Sequence, residues 1–123
     1  MDNSSVKLQF AATVYRDGIE PFTVTVGGRV AWAILSLIRA DKRGCTPMDR
    51  PQPRWSDAIF KAKKLGFNIE TIYERHGGSF SGNHGRYRLH DRVTVSGGTL
   101  MEYLASPDGR REFPNASFAR VAA

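Results

Sequence analysis

Cysteine is nearly missing from this chain: Cys45 stands alone among 123 residues. A single thiol excludes an intrachain disulfide and a cysteine-cluster zinc site. Long apolar runs are missing too. None approaches membrane-spanning length, so no membrane partner is expected. The opening residues, Met-Asp-Asn-Ser-Ser, lack the layout of a signal peptide, and a cytoplasmic protein is expected. Catalytic signatures are absent as well: no nucleophile elbow, no phosphate-binding glycine loop ahead of a helix, no His-Glu-x-x-His. The carboxylates do not gather into a metal cage, and Cys45 has no histidine near it in sequence. The chain is read as a non-enzyme without a cofactor. No internal repeat and no low-complexity tract interrupts it.

Acidic residues are also in short supply. Lys and Arg number 18 against 12 Asp and Glu, for a net charge of +6. The excess is concentrated: residues 27–92 hold 13 basic and 6 acidic side chains, and the remainder is slightly acidic. A local positive excess of this kind suits a polyanion partner.

What the chain does have centres on residues 54–67, Arg-Trp-Ser-Asp-Ala-Ile-Phe-Lys-Ala-Lys-Lys-Leu-Gly-Phe. At a period of 3.6 residues, Trp55, Ala58, Ile59, Ala62 and Leu65 share one face. Ser56, Asp57, Phe60, Lys61 and Lys64 share the opposite one, with Lys63 at the edge. Pro51 and Pro53 bar a continuous helix from upstream, and Gly66 suits the left-handed turn that ends one. Taken alone, the stretch is equally an ordinary surface helix whose lysines face water. Its sequel narrows the choice. Residues 68–74 read as a strand, 77–85 as a glycine-rich loop, and Arg86-Tyr87-Arg88-Leu89 as a returning strand.

Helix, glycine, strand, long tip and basic strand, in that order, resemble a small winged helix-turn-helix domain of the kind common in phage and bacterial genomes. The resemblance covers residues 28–92 and rests on the run from Ala58 to Thr71 and on the closing Arg86-Tyr87-Arg88-Leu89. It implies an α+β winged helix-turn-helix, to which the residue patterns on either side add an N-terminal β-hairpin and a short C-terminal helix. The expected divisions are 1–27, 28–95 and 96–123. It also implies a double-stranded DNA partner and a nucleoid-associated location. A recognition helix over 54–65 would act beside a wing over 75–88.

Outside that motif, residues 6–26 predict a hairpin turning near Asp17-Gly18, with Phe22, Val24 and Val26 facing inward and the second strand the more secure. Arg29 to Ala40 predicts the first helix, its apolar stripe formed by Val30, Ile34, Leu37 and Ile38. Trp32 falls off that stripe and needs a cover, from the N-terminal hairpin, the C-terminal tail or a second copy. Thr46-Pro47-Met48-Asp49 predicts a capped second helix, cut to a single turn by Pro51. Residues 92–95 extend the wing or join the N-terminal sheet. Thr99 to Glu102 predicts a capping box opening a short helix that buries Leu100, Met101 and Leu104. From Asp108 onward the expectation is a loosely held tail.

The expected DNA contacts are Arg50, Arg54, Ser56, Asp57, Phe60, Lys61 and Lys64 around the helix, and Arg75, His84, Arg86 and Arg88 on the wing. Lys61 and Lys64 suit phosphates or guanine edges; Asp57 suits either a cytosine amino group or the helix dipole at its own first turn. Phe80 at the tip folds back or meets a sugar or base. His76 and His84 face each other across the hairpin, yet no third ligand has matching spacing, so no metal is expected. A sequence-specific transcriptional regulator is the leading function, and a homodimer of it would read a palindrome. The alternatives are a DNA-bending recombination or excision factor, and a protein-binding winged helix such as a phage-type inhibitor of a host machine, anchored by Trp32, Phe60 and Phe80.

Overall fold

The computed structural model describes residues 6–52, 54–76 and 82–115. The expected wing tip with Phe80, and the last residues of the tail, lie outside them. The chain divides into two compact units, 1–32 with 92–123 and 33–91. Among the described residues no helix is long and apolar enough to cross a membrane.

The first unit is built on a sheet. β1 (Gln9–Tyr15) and β2 (Phe22–Gly27) form the expected antiparallel hairpin, with Gly18 at φ 86° in its turn. β5 (Arg92–Ser96) pairs along the other edge of β1, giving the order β2-β1-β5. That settles where 92–95 goes. It also makes β1, in the middle, the better protected strand. Phe10, Ala12 and Val14 point to one side of the pleat and are almost wholly buried, while Phe22 and Val24 on the edge strand stay half-exposed.

Thr99 was expected to cap the helix that follows, but its hydroxyl is engaged elsewhere. It donates to the Lys7 carbonyl and accepts from the Gln9 amide at 3.0 Å. The capping-box expectation therefore fails although α3 (Leu100–Ala105) begins where it should. Leu100 and Tyr103 are buried, whereas Met101 is 77% exposed. Beyond it the chain forms a further helix rather than a loose tail, α4 (Pro107–Glu112). Ser106 caps it by accepting from the Gly109 amide at 3.1 Å, and Pro107 occupies the first turn, where its missing N–H costs nothing. A side chain at Gly109 would run into the Tyr103 carbonyl, so only glycine lets α4 lie this close to α3.

Trp32 finds its cover here. Its indole N–H donates to the Glu112 carboxylate at 3.0 Å, and its ring lies 6.4 Å from that of the buried Phe113. Trp32 belongs to α1 (Gly28–Ala40), whose residues 31–37 are all buried. A single apolar stripe therefore understates this helix: Trp32 and Ser36, from its supposed outer side, are buried along with Ile34 and Leu37. A helix apolar on all sides is a core helix.

In the second unit α1 ends in a 3-10 turn, Asp41–Arg43. Thr46 then caps one hydrogen-bonded turn, its Oγ1 accepting from the amides of Met48 (3.1 Å) and Asp49 (2.9 Å). The single-turn second helix is thus present as a turn. α2 (Trp55–Lys64) follows, and then β3 (Ile69–His76) and β4 (Gly82–Leu89) pair antiparallel over their whole lengths. The ladder runs further than the sequence implied. Residues 82–85, expected in the loop, belong to β4, because their backbones continue the pairing with 73–76.

Candidate nucleic-acid interface

α2 is anchored on its apolar face. Trp55, Ala58, Ile59 and Ala62 are at most 4% exposed, as the periodicity requires. Leu65, expected with them, is 40% exposed because it lies past the last helical residue. The end is a Schellman motif: the Phe67 amide donates to Ala62 O and the Gly66 amide to Lys63 O, with Gly66 at φ 109°. At the other end Arg54 is itself left-handed, at φ 66°, an uncommon conformation for a residue with a side chain.

The outward face carries the charge. Ser56, Lys61 and Lys64 are exposed. Asp57 does not point away from its neighbours: its carboxylate lies 3.1 Å from Lys61 Nζ and 3.8 Å from the Arg54 guanidinium. These i,i+4 and i,i+3 spacings are the ones at which helical side chains meet. Phe60 is 59% exposed, with the Lys64 ammonium 5.2 Å from its ring centre. Arg50 is half-buried, and its carbonyl accepts the Trp55 indole N–H at 2.8 Å.

The hairpin β3–β4 is fastened to α2 and to the segment before it. Trp55 stacks on Tyr87 of β4, ring centres 5.7 Å apart. Cys45 and Tyr87 exchange both backbone hydrogen bonds, at 2.9 and 2.8 Å, which adds a one-residue third strand to the hairpin. Gly44 permits that approach: at φ 70°, a Cβ there would sit 2.6 Å from the Tyr87 carbonyl oxygen. The Cys45 thiol is buried and donates to Ser36 O at 3.3 Å; burial pushes its pKa up, against the pull of nearby Arg50.

The expected wing residues are disposed differently from one another. Arg75 is exposed and Arg88 half-buried, with Glu70 as its register partner. Arg86 is taken up within the protein. Its Nε donates to Glu74 at 2.5 Å, Nη2 to the other oxygen of that carboxylate at 3.2 Å, and Nη1 to Arg43 O at 3.1 Å. Asp49 lies 3.4 Å from the same Nη1. His84 Nε2 stands 3.2 Å from Glu74. The hydrogen bonds from Arg86 hold the Glu74 carboxyl below its usual range, and Glu74 in turn pushes the guanidinium pKa up. Among the described residues, no group of three or more His, Cys, Asp or Glu is placed to hold a metal ion.

One exposed side chain was passed over in the sequence: Tyr73, 78% exposed, opposite Gly85 in the ladder. The signal was present. Strand alternation puts Tyr73 on the face of Ile69 and Thr71, but two residues nearer the tip, past the part of the strand that the core covers.

A two-stranded hairpin following a short anchored helix, with a one-residue strand bridging it from before the helix, is a wing. A family model described as a winged helix domain matches residues 23–99. The chain belongs to that family. The match takes in β2, α1, the turn at 46–49, α2, the wing and β5, and stops before α3. No curated protein and no solved structure matches the chain. In this winged helix the helix presented to solvent is α2, and β3 and β4 form the wing.

Proposed function

We propose that this winged helix binds double-stranded DNA as a sequence-specific transcriptional regulator, with α2 entering the major groove and the wing lying against the flanking backbone. The observation that carries the reading is the division of α2. Its inner side chains are enclosed, while Lys61 and Arg54, at 59% and 66% side-chain exposure, stand on an outer face joined by Ser56 and Lys64. An anchored helix with exposed cations on its outer side suits groove entry, where phosphate contacts position and side chains near the helix start read bases. Arg75, exposed on the wing, supplies a cation for the neighbouring phosphates. A homodimer would place two such helices on a palindrome with half-sites about one helical turn apart.

The test is selection of bound sequences from a random duplex pool, followed by salt titration on the enriched site. The expected result is a defined site whose affinity falls with salt by about 0.9 log units per log salt for each phosphate contact. Failure to retain any duplex at low salt overturns the reading. Protein binding is the second reading, favoured by Phe60 and Tyr73, two large exposed aromatics. Trp32 gives it no help, being enclosed beside Phe113.

A further inference from the structure

We propose that Arg86 is a positioning residue that fixes the wing for DNA, acting through Glu74 and the 43–49 segment rather than by touching a phosphate; this rests on the DNA-binding reading above.

The geometry is specific. Glu74 and Arg86 lie on the same face of the hairpin, one step apart diagonally, since Ile72 is the register partner of Arg86 and His84 that of Glu74. From there the guanidinium engages both oxygens of Glu74, at 2.5 and 3.2 Å, and the backbone carbonyl of Arg43 at 3.1 Å, with Asp49 also in reach at 3.4 Å. One side chain thus ties β3, β4, the 3-10 turn and the capped turn at 46–49 together. Only a planar fork with several donors makes this set of contacts; a lysine ammonium does not. The side chain is 24% exposed, against 66% for Arg54. A phosphate could recruit Arg86 only by displacing a carboxylate that already holds it bidentately.

This role makes a prediction of unusual sign. Removing a carboxylate from a DNA-facing wing ordinarily tightens binding, because it removes repulsion from phosphate. If Glu74 is the anchor of a brace, Glu74→Gln instead weakens binding, by about tenfold, the effect of one charge-assisted hydrogen bond. Arg86→Lys, which keeps the charge but loses the fork, falls as far as Arg86→Gln. The double variant E74Q/R86Q is no worse than R86Q alone, since each change breaks the same contact.

The experiment measures duplex affinity for these four variants, with Arg88→Gln as a comparison, alongside amide hydrogen exchange at Cys45 and Tyr87 in the DNA-free protein. Weakening by E74Q and no rescue by R86K uphold the role. Tighter or unchanged binding in E74Q, wild-type affinity in R86K, or additive losses in the double variant overturn it. Should the wild-type protein bind no duplex, the DNA reading fails separately, and the exchange data decide the brace. Faster exchange in R86Q and E74Q than in R88Q upholds it, and equal exchange in all overturns it.

Discussion

Trp55 lies face to face with Tyr87, planes 20° from parallel, one ring from the start of α2 and the other from the middle of β4. Both are buried, and the indole N–H is satisfied by Arg50 O. This pair fixes the helix relative to the wing within their unit. Trp55→Ala should therefore cost about 3–5 kcal/mol, the usual range for deleting a core aromatic. Urea denaturation followed by circular dichroism measures it; a loss below about 1 kcal/mol would mean that the stack contributes little.

Lys61 and Lys64 stand on the free side of α2. Their joint replacement by alanine should flatten the salt dependence of duplex binding by up to about 1.8 log units per log salt, twice the single-contact slope. Fluorescence anisotropy at several salt concentrations reads this out. An unchanged slope would remove α2 from the interface.

Asp57 restrains two of the cations proposed to meet DNA. Asp57→Asn frees Lys61 and Arg54 and removes a negative charge. Binding should tighten by up to about fivefold, matching the ~1 kcal/mol ceiling of an exposed ion pair. A fall in affinity confined to sites with cytosine at one position would instead mark Asp57 as a base reader.

Glu74 has its carboxyl held below the usual 4.5 by Arg86. A depressed folded-state pKa contributes stability that is whole above the unfolded value and is lost as the pH falls through the folded one. Over the acid range below 4.5, Glu74→Gln should thus lose stability less steeply than the wild-type protein. Thermal melts across that range test it, and parallel curves would contradict it.

Cys45 is buried 3% exposed, and its thiol pKa is raised above 9.0, chiefly by burial. The thiolate is the reactive species, so the folded protein should resist a thiol reagent at pH 8 and react promptly in denaturant. Rapid labelling of the native protein would show that the 43–46 segment opens readily.

Much of this was legible because α2 is simple. A 3.6-residue alternation and a terminal glycine are local signals, and both sides of the helix came out where they predict, Leu65 excepted. The wing's order was legible for the same reason. Partners were not. Periodicity marks Trp32 as a side chain in need of cover without saying that Glu112 and Phe113 supply it, from a stretch where a loose tail is expected. The fate of Arg86 depends on strand register, which places Glu74 diagonally across from it. Register follows from the hairpin's connection, and a glycine-rich one fits several. Thr99 illustrates competition: the cap motif is there, but the Lys7 carbonyl and the Gln9 amide claim the hydroxyl.

The place of β1 has a consequence for how the chain reaches this state. Its Gln9 amide meets Thr99, 90 positions away, so the sheet of β1, β2 and β5 joins segments that lie on either side of residues 33–91 in the sequence. The 33–91 unit is continuous in sequence and can condense early from nearby contacts, whereas the other must wait for distant ends to find each other. Refolding should accordingly run in two stages, with the 33–91 unit first to mature and the seam between β1 and β5 the last to knit.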